Sequence, residues 1–304
     1  MKNWRLGLAL TVFVALLWGV LPIALKIVLK EMDAWSLTWF RFTFAALVVG
    51  AWLAAHGDLP KFWTLPKRKL LLLLTCFAGL ASNYILYLVG LDHITPATAQ
   101  LVIQLGPILL AAGGALVYRE KILRGQWIGF SAVTIGFLLF FEHRITELLG
   151  GFSNYAIGVA LIIGAAIVWA VYAMAQKSLQ GSLSTAGVLL VVYALSALVF
   201  VPFANFGTVS TLSPLAWWMF LFCCVNTVAA YGAFAESLRH WEASRASAVL
   251  ALTPIITYFA MIPAAAVWTS HLHPEAADLS AYAGAITVVI GSVTASLAGR
   301  TRKS

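Results

Sequence analysis

The polar side chains of this chain are few, and their types and spacing suit holding a solute better than breaking a bond. Gly79, Asn83 and Tyr87 recur at i, i+4 and i+8 and share one helical face. Gln100, Gln104 and Pro107 share a face of the following segment. An amide in apolar surroundings needs a partner or water. Two such faces on successive segments read either as the wall of a wet cavity or as interhelical hydrogen bonds. Trp18 and Trp169 lie deep inside apolar runs, too deep for interfacial anchors. An indole there stacks on a planar or cationic solute or packs on a neighbouring helix. Tyr84, Tyr87, Tyr172, Tyr231 and Tyr258 add amphipathic rings within such runs, and Asn226 is the best polar candidate of its own. Pro107 and Pro254 each remove a backbone hydrogen bond, which frees a carbonyl for a solute and places a kink that can hinge. Pro22, one turn beyond Trp18, joins the same candidate set.

Three charges belong with them. Arg41 lies several residues inside an apolar run, either to attract a carboxylate or to reach outward to Glu31 or Asp33. Lys26 and Lys177 close their runs, where a cation suits a helix C-terminus and also suits an anionic solute arriving from either side. Glu236, with Arg239 and His240 about one turn on, reads as a local charge pair. No Asp or Glu stands mid-run, which points to exchange or uniport over tight proton coupling. Catalytic signatures are missing: there is no His-Glu-x-x-His, no Gly-rich phosphate loop and no intramembrane aspartate pair. The expectation is a non-enzyme with no cofactor and no metal. Cys76, Cys223 and Cys224 all fall in apolar runs and read as small packing residues.

The elements that position these residues follow from composition. Of 304 residues, 62% are hydrophobic and 10% charged, with a mean hydropathy of +0.93. A soluble domain carries roughly 25% charged residues, so lipid must be the solvent for most of these side chains. The net charge of +8 sits in short linkers rather than in a basic, aromatic-laced patch, which argues against nucleic acid as a partner. A span of hydrocarbon takes about 20 apolar residues. Ten such runs stand out, at 7–28, 34–55, 69–91, 97–118, 125–141, 155–175, 184–204, 214–235, 244–268 and 280–298. Each is expected to be a helix, because backbone groups in lipid must pair within the segment. The fold class expected is all-α integral membrane. With the N-terminus in the cytoplasm, fifteen Lys and Arg fall on the inner side, against Lys26, Lys30, Arg41 and Arg144 on the outer. Both termini are therefore expected to be cytoplasmic.

The order of residues repeats. The Trp18–Lys26 segment resembles Trp169–Lys177 at an offset of 151. Tyr84, His93, Ala99 and Pro107 match Tyr231, His240, Ala246 and Pro254 at 147, and Gly129 and Gly136 match Gly284 and Gly291 at 155. Residues 1–150 and 151–304 thus read as two five-helix repeats. Five is odd, so the second copy enters the membrane from the opposite side. That inverted arrangement is common in secondary transporters, with the solute site between the halves.

In this ordered series the chain resembles the drug/metabolite transporter superfamily, specifically its EamA-like branch of ten-helix bacterial permeases. The segments that carry the likeness are Trp18-Gly19 with Lys26, Arg41-Phe42, Thr95-Pro96-Ala97-Thr98-Ala99, Pro107, and Arg119-Glu120-Lys121 followed by Gly129 and Gly136. Where that family usually has a Glu after helix 9, this chain has Trp268-Thr269-Ser270-His271. The resemblance implies export or exchange of small organic solutes, often amino acids, across a bacterial inner membrane. The partners expected are that solute and the bilayer. The aromatic, amide-rich and charge-poor lining suits a largely apolar or zwitterionic solute. A sugar or sugar phosphate is the alternative, and an intramembrane enzyme, a passive pore or a scaffold or receptor are the rivals of other classes.

Overall fold

The computed structural model describes residues 3–106, 108–110, 113, 123–142, 153–179, 181–240, 246, 249–272 and 279–298. Pro107 and Arg119-Glu120-Lys121 lie outside the described residues. The long segments are α1 Trp4–Val28, α2 Ala34–Ala55, α3 Lys67–His93, α4 beginning with Pro96–Val102, and α5 Arg124–Phe140. They continue as α6 Asn154–Leu179, α7 Thr185–Phe200, α8 Pro214–His240, α9 Thr253–Val267 and α10 Leu279–Ala298. No strand occurs among the described residues. Among the described residues six helices (α1, α2, α3, α6, α7 and α8) are long and apolar enough to cross a membrane, and α9 and α10 hold shorter apolar helices.

Local signals start the helices. Asp33 accepts from the Trp35 and Ser36 N–H groups, Thr95 caps α4 just before Pro96, and Ser184 accepts from the Gly187 N–H. Lysines close two others across the fold. Lys26 Nζ donates to the Leu91 and Asp92 carbonyls at 2.8 and 2.6 Å, and Lys69 Nζ donates to the Ser178 carbonyl. These are the orphan acceptors at the ends of α3 and α6, matched by cations at the negative ends of the helix dipoles.

Contacts between helices fix the topology. α1 packs on α8, α3 on α6, α2 on α7 and α5 on α10, so each pairing crosses between the first five helices and the last five. Within α5 and α10 the order runs oppositely: Gly129 meets Gly291, and Gly136 meets Gly284, each glycine against the other's backbone. Two repeat mates packed antiparallel through reciprocal glycines are what an inverted duplication requires. The lysine caps agree, since Lys26 ties the end of α1 to the end of α3, and Lys69 ties the start of α3 to the end of α6.

The two largest buried apolar clusters among the described residues join helices α1, α2, α3, α6, α7 and α8. One gathers Leu25, Val28, Leu37, Leu88, Leu91, Ile162 and Cys223; the other gathers Phe42, Leu80, Tyr84, Tyr172, Val192 and Tyr193. Each draws from both halves. The free cysteines Cys76, Cys223 and Cys224 are buried among these side chains, as their apolar runs predict. Leu47, Leu138, Leu198, Phe259 and Val267 instead face outward, as lipid-facing positions do.

Candidate functional site

The two runs expected at 97–118 and 244–268 are not continuous helices. α4 ends at Val102, residues 103–104 form a turn, and helix resumes at Leu105. Helical residues 249–250 are likewise followed by a turn at 251–252 before α9 begins at Thr253. Gln104 and Ala251 are repeat mates at the offset of 147. The cause is visible in sequence: a proline removes the hydrogen bond to the carbonyl four residues back and clashes with it. For Pro107 and Pro254 those carbonyls belong to Ile103 and Leu250. The chain tightens there to i→i−3 bonds, from Gln104 to Leu101 at 3.1 Å and Gly106 to Ile103 at 2.9 Å, and from Leu252 to Val249 at 3.0 Å.

The two breaks touch. Gln104, 6% exposed, donates from Nε2 to the Ala251 carbonyl at 3.0 Å. The amide of one half thus satisfies a carbonyl at the break of the other. The aromatic repeat mates stand on either side. The Trp169 ring lies against the Gly106 backbone, beside the α4 break. Trp18 meets Tyr231 and Phe234 of α8 at ring-centroid distances of 5.6 and 5.7 Å. Its neighbour Gly19 abuts Ile256 and lies close to the Thr253 carbonyl, and Thr257 Oγ1 donates to the Gly19 carbonyl at 2.6 Å. Pro22 and Pro254 are buried beside them, and Pro22 leaves the Trp18 carbonyl without its helical N–H.

Other candidates serve packing as seen here. Asn83 Nδ2 donates to the Ala165 carbonyl at 2.9 Å, and Asn226 Nδ2 donates to the Leu17 carbonyl at 3.0 Å while its Oδ1 is buried without a hydrogen-bond partner. The repeat mate of the second contact sets Gly79 against the Val168 carbonyl and Tyr172. Tyr87 donates to Gln100 Oε1 at 3.3 Å, so the polar faces of α3 and α4 turn toward each other. Tyr258 is hydrogen-bonded to Tyr282 of α10, away from the crossing. Lys26 is engaged as a cap and Lys177 is exposed. Glu236 and His240 pair at 3.0 Å near the end of α8.

Arg41 does not reach outward. It is 4% exposed, its Nε donates to Thr227 Oγ1 at 3.1 Å, and its guanidinium carbon sits 4.6 Å from the centroid of Tyr84. The two acids at that end, Glu31 and Asp33, are occupied. Asp33 caps α2, while Glu31 accepts from the Ser213 N–H and Oγ at 2.6 Å each and lies 3.8 Å from His271 Nε2. Sequence reasoning did not find this second arrangement, nor Tyr193. Glu31 joins the α1 end to the α8 start and the α9 end, so it latches the two halves together at one membrane face. Its signal in sequence was the histidine standing where the resembled family usually has an acid.

Burial raises the Glu31 carboxyl value, but the two Ser213 hydrogen bonds and then His271 outweigh it and hold the group below its ordinary range. A folded-state value lowered this way stabilises above the ordinary carboxylate range, and the gain is lost as pH falls through the lowered value. Glu31→Gln is therefore expected to melt below wild type at pH 7, with the gap closing at about pH 4 and under. Melting curves of both proteins across pH test this; a gap that stays constant with pH would remove the carboxylate's part in the latch.

The chain as a whole is similar to known proteins. The EamA-like transporter family matches this chain twice, over residues 5–142 and 156–297. An uncharacterized transporter of Haemophilus influenzae is 36% identical over 300 residues, spanning 96% of this chain and 95% of that protein. The uncharacterized inner membrane transporter YhbE of Escherichia coli is 32% identical over 296 residues, spanning 97% and 92%. One solved crystal structure superposes at a TM-score of 0.64 over 97% of this chain and 99% of its own, at 19% identity, and so shares the fold. Matched nearly end to end in two successive stretches, and folded so that those stretches pair in opposite senses, the chain belongs to the EamA-like transporter family.

Proposed function

We propose that this transporter is an alternating-access carrier, an exporter or exchanger, of small organic metabolites. Amino acids and related largely apolar or zwitterionic solutes are its expected cargo. The observation that supports this best is the contact of the two broken helices, Gln104 on the Ala251 carbonyl, at repeat-related positions. Discontinuous helices at a repeat interface present backbone groups to a solute where a continuous helix would hide them. Carbonyls freed by Pro22 and Pro254 suit an ammonium group, and Trp18, Trp169 and Tyr231 suit an apolar or aromatic body. A sugar phosphate fits less well, because a phosphate calls for several cations. Lys26 is committed to α3 and Lys177 is exposed, which leaves Arg41.

The same reading divides the chain into five-helix repeats at 1–150 and 151–304, with ten spans in all. It places the protein in a bacterial inner membrane with both termini cytoplasmic. The relative described as an inner membrane transporter and the Lys and Arg bias support that placement.

The test is uptake into liposomes carrying the purified protein. The panel comprises aromatic, branched and basic amino acids, a sugar, a sugar phosphate and a cationic dye. Saturable flux of the apolar amino acids is expected, with roughly tenfold weaker apparent affinity in Trp18→Ala, the scale of a lost aromatic contact. Saturable flux of only the sugar or its phosphate would overturn the solute assignment. Flux without saturation would indicate a pore, and no flux of any solute a scaffold or receptor. Steep dependence on a pH gradient, abolished by Glu236→Gln, would replace exchange with proton coupling.

A further inference from the structure

We propose that Arg41 is the anchor for a carboxylate on the transported solute. The inference rests on the carrier reading above and narrows its cargo to monocarboxylates with an apolar body.

Arg41 is the seventh residue beyond the start of α2, which places it ~10 Å along that helix at 1.5 Å per residue. A guanidinium keeps its charge in any protein environment and carries five N–H donors in a planar fork. Here Nε alone is used, toward Thr227 Oγ1, which in turn donates to the Cys223 carbonyl at 2.9 Å. Among the described residues no carboxylate pairs with Arg41, and no acceptor meets the remaining N–H groups of the fork. A buried charge left this way is costly and is retained when something else completes it.

The surroundings say what completes it. Thr227 and the face of Tyr84 hold the guanidinium in place from two sides, one from each half of the protein. Thr38, one turn before Arg41 on α2, and Tyr193 on α7 each bury a hydroxyl with no hydrogen-bond partner. A carboxylate is the planar, bidentate acceptor that the free edge of the fork matches. A single guanidinium balances one negative charge; a phosphate dianion would leave a second unbalanced. Phe42 lies tilted against Tyr84 at 4.5 Å and stacks on Phe200 at 6.1 Å, so the neighbouring wall is apolar. Because α2 and α3 belong to one half and α7 and α8 to the other, a carboxylate held here would touch both halves.

The experiment uses the full-length protein in liposomes and matched solute pairs that differ only at the carboxyl. These are leucine with leucinamide, phenylalanine with phenylalaninamide, and an aliphatic keto acid with the corresponding ketone. Wild type is expected to prefer the carboxylated member, and Arg41→Gln to lose about 100-fold in apparent affinity for it, on the scale of a charged hydrogen-bonded contact. Affinity for the member without a carboxylate should change little. Arg41→Lys keeps the charge without the fork and should fall between. Melting of each variant separates a folding defect from a recognition defect, and Arg41→Lys supplies the readout if Arg41→Gln does not fold. Equal loss for both members of a pair, or no preference in wild type, would overturn the proposal. Saturable flux of only sugars or cations would overturn it too and leave the carrier standing. Preference confined to the keto acid would support the anchor while overturning the amino-acid reading.

Discussion

Gly136→Leu is expected to lower the melting temperature of the purified protein by roughly 10 °C, or to prevent its recovery as a monodisperse species. A Cβ at Gly136 would stand 2.6 Å from the Val288 nitrogen and 2.7 Å from the Gly284 carbonyl oxygen. Both are backbone atoms, so no rotamer change relieves the clash, and the helices must separate. Separation forfeits the whole contact, because small residues are what let two backbones approach in a membrane. Gly129 stands in the same relation to Gly291 and Ala295, and Gly129→Leu should behave alike. Overpacking of a core costs about 1–3 kcal/mol when side chains can yield; here only backbone can. Gly232→Leu is the control, since a Cβ there meets nothing within 4 Å. Fluorescence-monitored melting in detergent would compare the three. If Gly136→Leu melts like Gly232→Leu, the antiparallel pairing of α5 with α10 is wrong, and with it the direct packing evidence for inversion.

That pairing shows where the sequence was legible and where it was not. The recurrence of glycines at seven residues told which positions share a face, and hence that α5 and α10 each carry a smooth stripe. Spacing within one segment carries no information about the partner, so that the two stripes meet each other came only from the fold. The runs themselves were readable, because lipid demands about 20 apolar residues in a row. The interruptions at 103–104 and 251–252 were readable only as kinks at Pro107 and Pro254, since how far a helix opens depends on whether a neighbour satisfies the freed carbonyls. Gln104 does so for Ala251. Arg41 had two outcomes open because its reach covers both the membrane face and the interior. The choice was made by Ser213, which occupies Glu31 from a linker 182 residues away. Tyr193 went unnoticed because a single tyrosine in the apolar run of α7 has the pattern of an ordinary core aromatic.

Pro254→Ala is expected to raise the melting temperature slightly and to slow transport about fivefold. The two effects have one cause. Alanine restores an N–H that can reach the Leu250 carbonyl and removes the ring that clashes with it. Helical residues 249–250 and the helix from Thr253 then join across the turn at 251–252. Proline in a helix interior costs ~3 kcal/mol, but near the first position almost nothing. Pro254 stands between these limits, in the first turn of α9 with helical residues before the break, so a gain of about 1 kcal/mol is the reasonable scale. If the break is the hinge by which α9 bends as the site changes sides, the straightened helix must be bent again in every cycle. A rise of about 1 kcal/mol in that barrier is roughly a fivefold loss of rate. The loss should fall on turnover and spare solute affinity, since Trp18, Gly19 and Thr257 keep their contacts. Gln104→Leu perturbs the same crossing differently: it leaves the Ala251 carbonyl without its donor, so it should lower both stability and turnover. Turnover and melting measured on both variants separate the cases. A Pro254→Ala protein that melts higher and transports at the wild-type rate would make the break a static bend, and the crossing of α4 with α9 would then be a brace between the halves with no part in their motion.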